Sequence, residues 1–192
     1  MRKLSGFYIP FSSSLDLESN AKMHALAGRL RSSLLEGVTD LYPGYINLYV
    51  EFDANMVARE TVKSWVKKNA VNLEARVSSG REVVIPVRYD GEDLEFVAAQ
   101  TGLSVAQVIE KHSSVTYQTY TVGFTPGYPF FGKLDPALHL PRRKTPRKKV
   151  PAHSVAIAVG QTGIYPLATP GGWHILGSAL IAAYDPHREK PF

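Results

Sequence analysis

The sequence predicts an α+β protein of two domains, a ferredoxin-like α+β domain at residues 1–90 and a helical hairpin followed by a β-rich domain at residues 91–192. The first observation is the order strand, helix, strand, helix, strand in the N-terminal half, which is typical of two helices packed on one sheet. The second is a change in composition, because eight of the 13 prolines and eight of the 15 glycines lie between Gly123 and Gly177. Short β runs joined by glycine and proline turns favour a β-barrel or a β-sandwich there.

The elements of the N-terminal domain are predicted from the spacing of apolar residues. These residues recur every three or four positions from Leu17 to Leu34, as in an amphipathic helix, and alternate with polar ones at residues 45–52, as in a half-buried strand. In order, the predicted elements are a strand at residues 6–11, a helix from Asp16 or Ser19 to Gly37, a strand at residues 45–52, a helix beginning at Asp53 or Asn55, and a strand at residues 81–89.

Two short helices, at residues 93–100 and 104–113, are predicted next, with a turn at Gly102 between them. The pair has the shape of a helix-turn-helix, whose second helix reads DNA with Arg, Lys, Asn or Gln side chains at its N-terminal end. Gln107 is the one such residue at that end here, so we interpret the pair as a structural helical hairpin. The predicted strands that follow lie at residues 115–124, 154–159, 173–176 and 179–184.

The composition excludes several classes of protein. The chain has no cysteine, so it contains no disulfide, no thiolate metal site and no cysteine nucleophile. It also lacks a run of ~18 apolar residues and a signal-peptide pattern at its start, so we predict a soluble, cytoplasmic protein that makes no membrane contact. We find no spacing of His, Asp and Glu that indicates a metal site or a pair of catalytic carboxylates.

One basic segment accounts for the positive charge. Residues 142–149 hold six Lys or Arg and no acidic residue, while the whole chain carries +5, so the remainder is close to neutral. A nucleic-acid-binding protein more often spreads its basic residues over a whole face, so we predict no nucleic-acid partner. The segment is either a solvated loop or an anion site. In the second case Arg142 and Arg147 are the candidates, because a guanidinium binds carboxylate or phosphate through two bonds.

Residues 127–133 match the pattern G-x-x-x-x-G-K of a phosphate-binding loop. A phosphate-binding loop continues with Ser or Thr and a helix, whereas Leu134 and Pro136 follow here, so the match is false. Tyr128 and its aromatic neighbours instead favour an apolar wall of a pocket or an interface.

The segment at residues 160–174 is the most specific in the chain. Gln161, Tyr165, Thr169 and His174 lie between tight turns after an apolar run. Amide, phenol, hydroxyl and imidazole groups can recognise a small polar substrate by hydrogen bonds. The alternative is ordinary turn chemistry with Trp173 as an anchor in the core.

Five motifs in this order resemble a known family. They lie at residues 123–128, 140–147, 150–158, 160–166 and 170–173, and read GFTPGY, LPRRKTPR, VPAHSVAIA, GQTGIYP and PGGW. Together they resemble the KipI / allophanate hydrolase subunit 1 family, whose members are mostly called 5-oxoprolinase subunit PxpB. The resemblance is strong from about residue 84 to 186 and weaker over the N-terminal part.

The resemblance implies a ferredoxin-like N-terminal domain and a cyclophilin-like C-terminal β-barrel. It also implies a subunit of an ATP-dependent amide hydrolase, most specifically a 5-oxoprolinase that converts 5-oxoproline to glutamate. The implied partners are a homologous second subunit of the PxpC (allophanate hydrolase subunit 2) type and a third subunit of the PxpA type. ATP with Mg²⁺ is expected in the assembled complex rather than on this chain alone.

Within that reaction the residue types suggest roles. We expect Arg147, Gln161 and His174 to be catalytic, with Arg147 neutralising negative charge and His174 carrying a proton. We expect Arg142, Tyr165, Thr169 and Tyr128 to bind the substrate.

Two departures from the family pattern lead to other expectations. Members usually continue beyond the position of Phe192 into a strand that closes the barrel, so the barrel is expected to be truncated at its C-terminus, with an exposed edge that favours a homodimer. The glycine that usually precedes Ser154 is His153 here. The alternatives to the hydrolase are a KipI-like inhibitor that binds a sensor histidine kinase, a subunit of an allophanate- or urea-linked hydrolase or carboxyltransferase, and, least favoured, a peptidyl-prolyl isomerase.

Overall fold

The computed structural model describes residues 1–74, 80–185 and 187. The chain divides into two compact units, Met1–Arg81 and Glu82–Phe192. Both mix helices with antiparallel sheets, which confirms the predicted α+β class at that level. The predicted domain boundary at residue 90 lies further along the chain than the division between these units, and the assignment of domains stays a prediction. No helix among the described residues combines the length and the apolar composition that crossing a bilayer requires.

The first unit consists of three strands and two helices. They are β1 (Leu4–Pro10), α1 (Leu17–Ser32), β2 (Val38–Pro43), β3 (Asn47–Asp53) and α2 (Arg59–Ala70). The strands form one antiparallel sheet in the order β1-β3-β2. Both helices contribute to the core that covers one face of this sheet.

Local sequence explains why α1 forms where it does. The Asp16 carboxylate accepts a hydrogen bond of 2.8 Å from the backbone N–H of Ser19, which caps the first turn. Met23, Leu26 and Leu30 recur at helical spacing and are all buried. The helix ends at Ser32 rather than at Gly37.

Two predictions about strands were wrong in the first unit and beside it. Strand β2, which pairs with β3 in a hairpin, was not predicted. The strand predicted at residues 81–89 is limited to β4 (Val87–Arg88) within the described residues 80–89, and it pairs with the last strand of the second unit.

The second unit begins with a helical hairpin, α3 (Leu94–Thr101) and α4 (Val105–Ser113). Gly102 adopts φ +71° at the end of α3, and the Ser104 and Gln107 side chains form a capping box at the start of α4. The amide of Gln107 is therefore occupied in the cap. Val97 and Val108 are fully buried, as expected for a structural hairpin.

The rest of the second unit is β-rich. Its strands are β5 (Gln118–Val122), β6 (Pro129–Gly132), β7 (Arg147–Val150), β8 (Ser154–Ala158), β9 (Gln161–Ile164), β10 (Thr169–Gly171) and β11 (His174–Ala179), with a 3₁₀ turn at Pro136–Leu138. A six-stranded antiparallel sheet has the order β4-β11-β8-β9-β6-β5, and β7 pairs with β10 separately. The false phosphate-loop match lies in a turn and in β6, with no helix directly behind it.

Candidate functional site

A buried carboxylate organises the residues around the start of α3. Asp93 accepts hydrogen bonds from Arg147 Nη2 at 2.7 and 2.8 Å, from Arg143 Nη1 at 2.8 Å, and from the backbone N–H of Ile175 at 2.7 Å. Its side chain is only 5% exposed. One carboxylate thus joins α3, the basic segment and β11.

Arg147 is fully occupied by these contacts. Besides Asp93, it forms an ion pair of 2.6 Å with Glu92 through Nε and donates from Nη1 to the carbonyl of Trp173 at 3.3 Å. Burial lowers the pKa of the guanidinium, but the Asp93 and Glu92 carboxylates outweigh burial, and the pKa is raised. The predicted catalytic residue therefore holds a rigid position at the start of β7, and its catalytic role stays a prediction.

Arg142 differs from Arg147 in its exposure. It is exposed, and no hydrogen bond or ion pair joins it to the residues that the structure describes. The neighbouring Arg143 turns inward to Asp93. Of the predicted anion-binding pair, Arg142 is thus the guanidinium that a ligand can reach.

His174 lies in β11 with one ring nitrogen bonded and the other not. Its Nε2 is 2.9 Å from the carbonyl oxygen of Pro141, and a carbonyl only accepts, so Nε2 carries the hydrogen. Nδ1 therefore holds a lone pair, and it is buried with no partner in the described part of the chain. The ring stacks on Phe96 at a centroid distance of 5.3 Å. This imidazole is in a form that can accept a proton.

An aromatic cluster lies next to these polar groups. The Tyr128 ring is 5.0 Å from Tyr165 and 6.1 Å from Trp173, both edge-on. Tyr128 and Tyr165 are almost fully buried, and burial raises the pKa of Tyr165. Gly171 lies directly against the Tyr165 hydroxyl, so no other residue fits there. Both tyrosines therefore pack the core, and their predicted contact with substrate stays a prediction.

The structure brings only part of the predicted set together. Arg147 bonds to Trp173, which adjoins His174 in the chain and contacts Tyr128 through its ring. Gln161 instead begins β9 at the β8–β9 turn, while Tyr165 follows the other end of that strand. At about 3.3 Å per residue the two are roughly 13 Å apart along the strand.

Thr169 lies in β10 opposite Val150. Its hydroxyl is buried and has no partner among the residues that the structure describes, so it has hydrogen-bonding capacity to offer a ligand.

The acidic half of the site was not predicted from the sequence. Glu92 and Asp93 were interpreted only as the start of a helix, and Phe96 as part of its apolar pattern. The basic segment at residues 142–149 has no acidic residue of its own, which indicates that charge must come from elsewhere in the chain. Nothing in the sequence identifies a partner that lies 54 residues away.

Two other features lie outside this constellation. A groove of about 380 Å³ in the first unit is lined mainly by apolar residues and contains none of the predicted site residues. Within the described ranges, no group of three or more His, Asp or Glu side chains is placed to hold a metal ion.

Comparison with known proteins identifies relatives over nearly the whole chain. Residues 3–192 match the family model of the carboxyltransferase domain, subdomain C and D. The chain is 41% identical over 182 residues to the PxpB-type subunit of 5-oxoprolinase from Escherichia coli O157:H7, covering 91% of this chain and 81% of that protein.

Solved structures agree with this assignment. The crystal structure of TTHA0988 superposes with a TM-score of 0.86 and 46% identity over 99% of this chain, which spans only 38% of that protein. Urea carboxylase of Kluyveromyces lactis gives a TM-score of 0.76 over 92% of this chain and 18% of its own, and at 15% identity it shows the fold alone. The chain therefore belongs to the carboxyltransferase family of subdomains C and D and, within it, to the group of KipI and the 5-oxoprolinase subunit PxpB that its five motifs resemble.

Proposed function

We propose that this chain is a subunit of a 5-oxoprolinase, the ATP-dependent enzyme that opens the lactam of 5-oxoproline to give glutamate. The observation that carries the proposal is the 41% identity to a 5-oxoprolinase subunit of the PxpB type, which extends over 81% of that protein. We further propose that the chain acts in the cytoplasm with a homologous second subunit of the PxpC type and a third of the PxpA type. TTHA0988 supports a further component, because it contains a long stretch beyond the part that this chain matches.

The proposed chemistry addresses the poor reactivity of an amide. Transfer of the ATP γ-phosphoryl group to the lactam oxygen creates a leaving group. Water then attacks the lactam carbon, the C–N bond breaks, phosphate departs, and the nitrogen takes up a proton. ATP with Mg²⁺ belongs to the assembled complex in this proposal.

The residues of this chain suit supporting roles in that reaction. The exposed guanidinium of Arg142 binds the substrate carboxylate or the phosphoryl group. The bare Nδ1 of His174 accepts the proton of the attacking water. Asp93 fixes Arg147, whose charge then acts from a constant position. Gln161 and Tyr165 remain the proposed contacts to the ring amide.

The two units fit the fold that the family resemblance implies. We propose that the first unit is ferredoxin-like, supported by its antiparallel order β1-β3-β2 with two helices in the core. We propose that the second contains a cyclophilin-like barrel, supported by its six-stranded antiparallel sheet and the extra β7–β10 pair.

The test is glutamate release from 5-oxoproline and ATP by the partner subunits, with and without this chain. Release that requires this chain supports the proposal. Release that is unaffected by the chain, from partners that respond to a full-length homologue, contradicts it and favours inhibition of a sensor histidine kinase.

Arg142→Ala refines the assay, with Lys148→Ala as the matched control because Lys148 is an exposed basic residue of the same segment. We expect Arg142→Ala to lower glutamate release at least about tenfold, as loss of a charge-assisted contact implies, and Lys148→Ala to leave it unchanged. Equal activity of the two variants would remove Arg142 from the site.

A further inference from the structure

The face of the three-stranded sheet opposite the core carries three tyrosines in a line. Tyr8 of β1 and Tyr42 of β2 are both direct cross-strand partners of Tyr49 in β3. The ring centroids are 4.8 Å apart for Tyr8 and Tyr49 and 6.1 Å apart for Tyr42 and Tyr49. Tyr8 is 67% and Tyr42 49% exposed. We call these three residues the tyrosine row.

The backbone below the row is shaped to fit it. Phe7 and Ile9 pack on the core, so strand alternation directs Tyr8 to the opposite face. At Gly6 a Cβ atom would collide with the ring and hydroxyl of Tyr49. The Tyr49 ring therefore lies across β1 at the one position of that strand that has no side chain.

The surroundings of the row are acidic. Asp40 and Glu51 are cross-strand partners, and each lies two residues from a tyrosine of the row. Desolvation, followed by the charges of Asp40 and Glu51, raises the pKa of Tyr42. Strands β1, β2 and β3 contain no Lys or Arg. The face thus combines aromatic rings with uncompensated negative charge.

We propose that the tyrosine row binds an extended segment of a partner protein in which arginine alternates with proline. Aromatic surfaces hold proline-rich segments because the polyproline II conformation is already formed before binding. Arginine can stack on a tyrosine ring and pair with a carboxylate at the same time. A polyproline II segment repeats every three residues, about 9 Å, which is close to the span of the row.

The charge of this face decides against a nucleic-acid ligand. Aromatic side chains on a sheet also stack with bases of single-stranded RNA. Such a ligand brings phosphates, which Lys and Arg normally neutralise. Here Asp40 and Glu51 would repel them, whereas the same carboxylates attract arginine.

The test measures binding of two synthetic peptides to the whole chain at low ionic strength by titration calorimetry. One peptide repeats Arg-Pro-Pro three times, and the other has Gln in place of each Arg. We expect the arginine peptide to bind at least about tenfold more tightly. Tyr8→Ala and Tyr42→Ala should each weaken its binding about tenfold, while Tyr8→Phe and Tyr42→Phe, which keep the rings, should retain it.

The controls make each outcome decisive. Phe124→Ala removes an aromatic side chain of similar exposure from the second unit and should leave binding unchanged. Circular dichroism checks that the variants are folded. None of the residues assigned to the candidate site lies in this sheet, so loss of peptide binding and loss of glutamate release are separate outcomes.

Three results would overturn the proposal. The first is equal or absent binding of the two peptides, or binding that the Tyr→Ala variants retain. The second is tighter binding of a uridine oligonucleotide than of the arginine peptide. The third is self-association of the chain that Tyr8→Ala abolishes in sedimentation, which would make a second copy the occupant.

Discussion

His112 is a buried histidine whose protonation state can be deduced from its partners. The Thr162 hydroxyl donates to the carbonyl of Ala156 at 3.2 Å, so it accepts from His112 Nε2 at 2.8 Å. Nδ1 then accepts from the Tyr89 hydroxyl at 2.7 Å. The ring is neutral, and burial lowers the pKa of His112 from 6.5 to about 4.

This network predicts acid lability above the range in which carboxylates titrate. The unfolded chain binds a proton at His112 near pH 6.5 and the folded chain only near pH 4, so the stabilisation is complete above pH 6.5 and is lost as the pH falls towards 4. At ~1.4 kcal/mol per pH unit the loss reaches roughly 3 kcal/mol. The measurement is urea unfolding between pH 7 and 5, in a Trp65→Phe background so that Trp173 alone reports.

Two variants isolate the contribution of His112. His112→Gln should remove the slope between pH 6.5 and 5, whereas His187→Gln, at an exposed position, should keep it. An identical slope in both variants would show that His112 does not titrate in this way.

His153 occupies a backbone conformation that suits glycine. Its φ is +66°, its N–H donates to the carbonyl of Tyr165, and its carbonyl accepts from Ala179. At ordinary exposed positions Ala is more stabilising than Gly because it restricts the unfolded chain. Here the left-handed conformation costs a residue with a Cβ about 1 kcal/mol or more.

We therefore predict that His153→Gly is more stable than His153→Ala by about 1 kcal/mol in urea unfolding. Both variants lose the same imidazole, so the comparison isolates the backbone. A more stable Ala variant would show that residue 153 carries no strain. The family pattern had a glycine at this position, and the structure gives the physical reason for it.

At the scale of elements, Asp93 is the residue that joins α3, β7 and β11. Removing one partner of a buried ion pair leaves the other charge uncompensated, which costs about 3–5 kcal/mol. Asp93→Ala should therefore lower the free energy of unfolding by that amount. Glu92→Ala is the matched control, because Glu92 pairs with the same Arg147 but its side chain is 60% exposed, and exposed pairs contribute about 0–1 kcal/mol.

The second measurement for Asp93 guards against a variant that fails to fold. Asp93→Asn keeps the acceptor oxygen for Ile175 but not the charge, and Arg147→Met removes the stranded guanidinium. Combining Asp93→Asn with Arg147→Met should restore part of the loss. Additive destabilisation in the double variant would contradict the ion-pair account.

The elements that the sequence predicted well are those with local signals. The periodicity of Met23, Leu26 and Leu30 identified α1, and Gly102 and Ser104 marked the turn of the helical hairpin. The missed β2 is a short strand that Pro43 ends, and its only long-range signal is its pairing with β3. The strand at residues 81–89 was overestimated because Val83, which alternates correctly, is exposed.

At the scale of the whole molecule, the sequence predicted the segments of the candidate site better than their connections. The Gly/Pro-rich segment does bring Trp173 and His174 to Arg147. The carboxylate that fixes them comes from Asp93, at the start of a helix in a different part of the chain. A pattern read along the chain cannot identify such a pairing, because folding decides which distant charges meet.

The remaining prediction concerns His174 in the assembled complex. Its Nε2–H holds the carbonyl of Pro141, so the amide N–H of a glutamine can replace that bond, but glutamine has no basic nitrogen to replace Nδ1. General base catalysis contributes ~10²–10⁴-fold to rates, so His174→Gln should lower glutamate release about 100-fold or more without preventing assembly. Size-exclusion chromatography checks assembly, and His187→Gln is the control. An assembled His174→Gln complex with full activity would show that this imidazole is a structural donor only, and the proton acceptor would then have to come from another component of the complex.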